Sequence, residues 1–199
     1  MDSIHATCPM TARCIDMRGS SSGWSRIARS LVIACGIALA FSITAWADIT
    51  GKVVGVADGD TITVLDVAKT QHTICLAGID APEKGQPGGF RAKESLSRLV
   101  YEHEVRVEGD ERDHYGRLIG KVWVAPPDCP SCGMTLDAGL TQITTGRAWW
   151  FRRYASEQSP EDRGRYERAE REAKARKAGL WRDPDPVPPW EWRKARRQD

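Results

Sequence analysis

Three segments that follow residue 48 carry apolar residues in the manner of short β-strands. Residues 49–57, 61–66 and 71–79 are rich in valine, isoleucine and threonine, which favour strands. Asp58-Gly59 separates the first two segments, and this dipeptide between apolar segments predicts a tight hairpin. The close succession of strands predicts a meander that begins a small β-barrel.

The pattern becomes helical at residue 90 and then returns to strands. In residues 90–101 the apolar side chains recur every three or four positions, so this helix is expected to pack one face on the barrel. Residues 104–108 and 118–124 alternate again and predict two further strands. Residues 84–89, which are rich in glycine and proline, predict a loop before the helix.

The last third of the chain is predominantly helical. Residues 135–145 place apolar side chains on one stripe and end before Gly146, a suitable C-cap. Ser159, followed by proline and two acidic residues, predicts a third helix that runs to about residue 178. Its opposite charges recur at spacings of three and four, which indicates a solvated face. Residues 183–199 predict a proline-rich, then aromatic and basic tail with a poorly ordered end.

The N-terminal part of the chain has the features of a secretory signal peptide. Arg26 and Arg29 precede residues 30–44, an apolar run without charges, and Ala-Trp-Ala ends at Ala47. A transmembrane anchor is the alternative, but the run is shorter than the roughly 20 residues that span a bilayer. We therefore predict cleavage after Ala47 and a secreted or periplasmic protein without membrane attachment. Its folded domain is expected at 48–182.

Composition limits the ways in which the processed chain can attract its partners. The 199 residues, 41% of them hydrophobic, suffice for one domain with a core. Of 29 basic and 27 acidic residues, four arginines and two aspartates leave with the first 47 residues, so 25 of each sign remain. Because the net charge is near zero, any attraction for phosphate must come from a local cluster.

Three cysteines remain after the predicted cleavage, and two of them form a C-x-x-C pair. Cys129 and Cys132 lie in a proline-rich loop, and no second pair or neighbouring histidine pair completes a zinc site. In an oxidising compartment a local disulfide between them is the better interpretation. A thiol-exchange function is less favoured, because the pair does not begin an obvious helix after a strand. Cys75 is left unpaired.

Carboxylates follow two of the predicted strands. Asp80 and Glu83 end the third strand, and Asp60 lies in the hairpin turn, from which it can approach Asp80. Such an oxygen-rich site suits a hard cation such as calcium, with Glu83 beside it as a base. Further along the chain, Arg117 supplies a guanidinium close to the ring of Tyr115.

Four ordered motifs resemble the staphylococcal nuclease (thermonuclease) family. They are Asp-Gly-Asp-Thr at 58–61, Gly-Ile-Asp-Ala-Pro-Glu at 78–83, Asp-His-Tyr-Gly-Arg at 113–117 and Gly-Arg-Ala-Trp-Trp at 146–150, and the resemblance covers 49–181. It implies an α+β fold in which a five-stranded β-barrel of the oligonucleotide-binding type (OB-fold) carries about three packed α-helices. It also implies an endonuclease that hydrolyses phosphodiester bonds in DNA or RNA with calcium. We expect a monomer.

The resemblance also implies a role for each motif residue. Asp60 and Asp80 match calcium-binding aspartates, and the backbone carbonyl of Ala81 matches a further ligand. Glu83 matches the proposed general base that activates water. Arg117 matches one of two arginines that hold the scissile phosphate.

Substrate contacts are expected from side chains near these motifs. Tyr115 and Tyr154 match tyrosines that contact nucleotides, and His114 stands where the family often carries a basic residue near phosphate. Trp149 and Trp150 are candidate base-stacking platforms. The alternative is that at least one of these two tryptophans belongs to the core.

Cys75 departs from the family pattern, because the second phosphate-binding arginine is expected there. Losing such a charged donor can cost about 2.7–4 kcal/mol of transition-state stabilisation. Three alternatives stay open: Arg91, Arg152 or Arg153 reaches the phosphate instead, the enzyme is slow, or the chain is a nucleic-acid-binding module with little or no hydrolysis. Taken alone, Cys75 is also compatible with a small hydrophobic residue facing the barrel interior.

Overall fold

A closed five-stranded barrel forms the centre of the computed structural model, which describes residues 48–198. The strands, in chain order, are β1 (Ile49–Val56), β2 (Thr61–Asp66), β3 (Gln71–Leu76), β4 (Ile79–Asp80), β5 (Glu104–Glu108), β6 (Leu118–Val124), β7 (Leu136–Asp137) and β8 (Trp149–Trp150). Antiparallel pairs join β3 to β2, β2 to β1, β1 to β5 and β5 to β6, and a parallel pairing of β3 with β6 closes the barrel.

Within residues 48–198, four α-helices accompany these strands: α1 (Gly89–Val100), α2 (Ala138–Thr144), α3 (Pro160–Ala175) and α4 (Pro189–Ala195). The predicted α+β class and the five-stranded barrel are confirmed. None of the helices within 48–198 is long and apolar enough to cross a bilayer. The predicted signal peptide lies outside the described residues.

The predicted hairpin between β1 and β2 is present, and its register determines which side chains face the interior. The Ala57 amide donates to the Thr61 carbonyl at 2.8 Å, closing the turn. Along β3, Ile74 and Leu76 are buried in the barrel. Because side chains alternate along a strand, Cys75 must face outward. Cys75 is half-buried, and the alternative of a small hydrophobic residue facing the barrel interior does not hold.

Helices and the β4–β8 pair complete the core against the barrel. The apolar face of α1 is buried as predicted, and α2 begins at residue 138, after β7, instead of at 135. Trp149 and Trp150 in β8 are only 5% and 7% exposed. The interpretation that at least one of them belongs to the core is therefore confirmed, and the candidate role as base-stacking platforms does not hold.

The third helix is shorter and less fully solvated than predicted. Ser159 caps it as expected, accepting from the Asp162 amide at 3.1 Å, but α3 ends at Ala175. Glu170 is 1% exposed. Its carboxylate accepts hydrogen bonds from the Trp150 amide, Arg152 and Lys174. One face of this charged helix thus contributes to the interior.

The C-terminal segment docks on the domain, whereas a poorly ordered end was predicted. Gln86 donates through Nε2 to the Val187 carbonyl at 2.7 Å. The Trp190 ring lies 5.5 Å from the Phe151 ring and 6.5 Å from the Trp149 ring, measured between centroids. Pro189 is buried at the start of α4. These contacts place α4 against the strand that pairs with β4.

The predicted disulfide is also present. Cys129 and Cys132 are bonded, with their Cα atoms 5.4 Å apart, in the loop before β7. Cys75 is free.

Candidate active site

The hairpin turn between β1 and β2 brings Asp60 to the end of β4. The Asp60 carbonyl accepts from the Leu76 amide at 2.8 Å, which ties the turn to β3. One carboxylate oxygen, Oδ2, accepts from the Ala81 amide at 2.7 Å, and the other accepts from the Thr61 hydroxyl at 3.0 Å. Asp60 therefore lies beside the residue that follows Asp80, as the strand pairing predicted.

Asp80 is positioned by the short sheet of β4 and β8. Ile79 pairs with Trp150 and Asp80 pairs with Trp149 in antiparallel register. Gly78, at φ 76°, makes the turn from β3 into β4, and a side chain there would collide with neighbouring residues. Asp80 is only 7% exposed. The carboxylate is thus held at a buried strand end.

Burial makes these carboxylates unusually hard to ionise. Burial and the nearby charges of Asp58 and Asp80 raise the pKa of Asp60 well above its usual range. Burial also raises the pKa of Asp80, even though Arg193 opposes the change. A cation held between them would relieve both effects, since it favours the charged forms.

The donors at this point fit a hard cation. Two carboxylates, Asp60 and Asp80, and the backbone of Ala81 offer oxygen ligands, which calcium prefers. Histidine and cysteine ligands are not needed for such a site. Within the described part of the chain, no group of three or more His, Cys, Asp or Glu side chains converges as a metal site.

Glu83 lies three residues beyond Asp80, in a loop that holds its backbone. Its amide donates to Gln86 Oε1 at 3.0 Å, and its carbonyl accepts from the Gln86 amide at 2.9 Å. The Glu83 side chain is partly exposed, whereas Gln86 is buried. The loop therefore fixes the backbone of Glu83 and leaves its carboxylate accessible beside Asp80.

An arginine from α4 contacts both of these carboxylates. Arg193 donates through Nη2 to Asp80 Oδ2 at 2.7 Å and through Nη1 to Asp80 Oδ1 at 3.1 Å. Nη1 also donates to Glu83 Oε1 at 2.5 Å. Sequence reasoning missed Arg193, because nothing in a basic tail distinguishes one arginine from the next. It lies 113 residues from Asp80 along the chain.

Arg117 approaches the same acidic cluster from the turn before β6. Its Nε donates to Asp113 Oδ2 at 2.7 Å, and its Nη1 lies 3.4 Å from the Thr61 hydroxyl. That hydroxyl donates in turn to Asp60. The amides of Tyr115 and Arg117 both donate to Asp113 Oδ1, at 2.9 and 3.0 Å. Asp113 thus shapes the turn and orients the guanidinium.

The predicted substrate-contacting side chains are exposed. Tyr115 is 75% exposed, and its ring is 5.6 Å from the Arg117 guanidinium carbon and 3.8 Å from the His114 ring. Tyr154 is 42% exposed and packs edge-on against Phe151. Tyr115 and His114 therefore share the Arg117 turn, whereas Tyr154 lies in a separate segment beside the docked tail.

Cys75 provides no charge to the site. Burial, with a smaller contribution from the nearby Asp60 carboxylate, raises the pKa of its thiol to about 12. The thiol is therefore neutral at physiological pH. It pairs across the sheet with Thr61 and Ile119, so the register places it on the side of the acidic cluster.

The arginines expected to compensate for Cys75 have other surroundings. Arg152 donates to Glu170 at 2.8 Å and lies over the Trp150 ring at 4.5 Å. Arg91 lines a different groove, which Trp192 also borders. Among the described residues, neither of these arginines nor Arg153 makes a hydrogen bond to the acidic cluster.

A cavity of about 460 Å³ lies apart from this site. Acidic side chains dominate its rim, including Glu108, Asp110, Glu111 and Glu157. Repulsion between these carboxylates and phosphate makes the cavity a poor site for nucleic acid.

Comparison with known proteins gives one consistent result. A family model described as staphylococcal nuclease homologue matches residues 73–183. Micrococcal nuclease of Shigella flexneri is 42% identical over 173 residues, which cover 86% of this chain and 95% of that protein. Protein ParB of Escherichia coli is 36% identical over 178 residues, covering 89% and 95%. An uncharacterized endonuclease of Escherichia coli O157:H7 is 39% identical over 161 residues, covering 79% and 95%.

Proposed function

This chain belongs to the staphylococcal nuclease family and hydrolyses phosphodiester bonds in nucleic acid, and from that premise we propose that it is an exported, calcium-dependent endonuclease. The observation that carries the proposal is the arrangement of three acidic residues: Asp60 accepts from the amide that follows Asp80, and Arg193 donates to both Asp80 and Glu83. Arg117 is connected to Asp60 through Thr61. DNA and RNA are both proposed substrates.

The cation would be held by the Asp60 and Asp80 carboxylates and the backbone carbonyl of Ala81. When bound, a divalent cation stabilises negative charge that develops on phosphate oxygens. The hydrogen bonds from the Ala81 amide and Thr61 hydroxyl fix the Asp60 carboxylate before any ligand arrives. Little reorganisation of Asp60 is then needed, which favours tight binding.

Glu83 serves as the general base in this proposal. Its carboxylate takes a proton from the attacking water, and the Gln86 contacts keep its backbone in place during the transfer. The partly exposed position of Glu83 admits water. A base must lie within hydrogen-bonding reach of the proton that it removes, and Glu83 lies close enough to Asp80 for Arg193 Nη1 to donate to both carboxylates.

Arg117 holds the phosphate as charge develops on it. Its hydrogen bonds to protein within the described residues use Nε and Nη1, so Nη2 is available to a phosphate oxygen. Asp113 prevents the guanidinium from rotating, and a donor that is already oriented stabilises the transition state without further reorganisation. Tyr115, His114 and Tyr154 are proposed to contact the nucleotides around the scissile bond.

Digestion of single-stranded DNA by residues 48–199 tests this proposal. This span is suitable because the barrel, the helices and the site all lie within it. We expect cleavage with calcium, none with a chelator, and a loss of at least about 100-fold in Glu83→Gln. Glu167→Gln, an exposed position on α3, is the matched control. Calcium-independent cleavage would contradict the cofactor, and full activity in Glu83→Gln would contradict the base.

Export is tested separately with the full chain. We expect the protein recovered outside the cytoplasm to begin at Asp48, as read by N-terminal sequencing. Recovery of the unprocessed chain from the cytoplasm alone would contradict the proposed cleavage after Ala47. Size-exclusion chromatography tests the proposed monomer in the same preparation.

A further inference from the structure

We propose that Arg193 is the second phosphate-binding guanidinium of this site, delivered by α4 in place of the arginine that Cys75 does not provide. This inference rests on the proposed function. The proposal starts from a missing positive charge at the phosphate. Because the thiol of Cys75 is neutral, the barrel supplies Arg117 but no second guanidinium at position 75. Two equatorial oxygens gain charge during attack on a phosphodiester, so one guanidinium leaves part of that charge without a donor.

The position of Arg193 matches the position that the phosphate must occupy. A phosphate under attack has to contact a cation at Asp80 and a water held by Glu83. Arg193 bridges these two carboxylates, with Nη1 within 3.1 Å of Asp80 and 2.5 Å of Glu83. A guanidinium that spans both groups lies within reach of phosphate oxygens placed between them.

The contacts of α4 make this position a property of the fold. Trp190 packs against Trp149 and Phe151, and Trp149 pairs across the sheet with Asp80. Trp190 and Arg193 are three residues apart, so they project from the same side of the helix. The packing that anchors the helix therefore also aims the arginine at the carboxylates.

Arg193 can change its hydrogen-bond partners when substrate binds without losing favourable interactions. In the structure Arg193 neutralises part of the repulsion within the acidic cluster, and its hydrogen bonds to Asp80 and Glu83 raise its pKa further. A cation at Asp80 takes over that neutralising role. The guanidinium then exchanges carboxylate oxygens for phosphate oxygens and keeps charge-assisted hydrogen bonds of the same kind.

The opposite reading treats Arg193 as a plug that occupies the cation position. It makes a different prediction: removal of the guanidinium would then raise activity or calcium affinity.

Neighbouring basic residues do not share the contacts of Arg193. Lys194, Arg196 and Arg197 are exposed and make no ion pair within the described residues.

Kinetic comparison of Arg193→Gln with Lys194→Gln tests the proposal, because both remove one positive charge from α4. On single-stranded DNA with saturating calcium, we expect kcat/KM to fall by roughly 100-fold in Arg193→Gln and to change less than about twofold in Lys194→Gln. Arg193→Lys keeps the positive charge but loses the planar set of guanidinium donors that can bind two phosphate oxygens, so an intermediate loss of kcat/KM is expected. Unchanged or increased activity in Arg193→Gln would overturn the proposal.

Two further measurements separate this proposal from a structural role and from failure of the proposed function. With saturating calcium, thermal unfolding of Arg193→Gln should stay close to that of the parent, because the cation then neutralises the acidic cluster. Cys75→Arg added to Arg193→Gln should recover at least tenfold in kcat/KM. If the parent does not cleave DNA, the proposed function fails. Oligonucleotide binding then tests whether Arg193 contacts phosphate. Anisotropy of a labelled single-stranded oligonucleotide with calcium should then show binding at least tenfold weaker in Arg193→Gln than in Lys194→Gln, and equal binding would refute the role.

Discussion

Asp113 controls the orientation of Arg117, and replacing it by asparagine should lower activity without unfolding the protein. The change retains an acceptor for the two backbone amides of the turn but removes the charged partner of Arg117 Nε, which now lies 2.7 Å from Asp113 Oδ2. Although partial burial opposes it, hydrogen bonds from Arg117 hold the pKa of Asp113 below its usual range. The carboxylate is therefore charged throughout the neutral range.

The size of the effect follows from the exposure of the pair. A hydrogen bond to a charged group contributes about 1.5–3 kcal/mol when it is protected from solvent. The Arg117 and Asp113 side chains are 33% and 13% exposed, so solvent screening reduces this to about 1–2 kcal/mol. If the loss appears in the transition state, kcat/KM falls roughly 5- to 30-fold.

Initial rates on single-stranded DNA with saturating calcium measure this effect. Asp110→Asn is the control, since Asp110 is exposed and has no hydrogen bond to Arg117. The loss should disappear in an Arg117→Gln background, because the two residues act through one guanidinium. An undiminished rate in Asp113→Asn, or an equal loss in both backgrounds, would refute the orienting role.

Two further predictions concern stability and the acidic cluster. Tyr166→Phe removes a buried hydroxyl that donates to Asp137 at 3.0 Å, so the free energy of unfolding should fall by about 1–2 kcal/mol. Urea titration measures this change, and an unchanged midpoint would show that the hydrogen bond does not stabilise the protein. Burial and nearby carboxylates raise the pKa of Asp60, so its contribution to stability is greatest below the unfolded-state pKa and is lost as pH rises through the folded-state pKa. In thermal unfolding at neutral pH, Asp60→Asn should therefore stabilise the calcium-free protein and reduce the stabilisation by added calcium; a parent-like response to calcium would contradict Asp60 as a ligand.

Local sequence predicted the first hairpin and the approach of Asp60 to Asp80, and the resemblance of the ordered motifs to the family implied the five-stranded barrel. Asp58-Gly59 between two apolar segments indicates a hairpin, and pairing of the strands then places Asp60 near Asp80. Alternation along β3 also indicates that Cys75 faces outward, because the apolar residues Ile74 and Leu76 on either side of it face the interior. A hairpin turn and the alternation of side chains along a strand are local properties, which a pattern of residues records directly.

Packing between distant segments decided what the sequence alone left open. Trp149 and Trp150 are buried because β8 pairs with β4 beneath the docked tail, and an aromatic dipeptide has the same pattern whether it stacks on bases or fills a core. Arg193 reaches Asp80 across 113 residues only because α4 packs through Trp190 on the strand beside it. The free energy of that docking comes from surfaces which meet only in the folded chain, so the second guanidinium of the site becomes visible only in the tertiary structure.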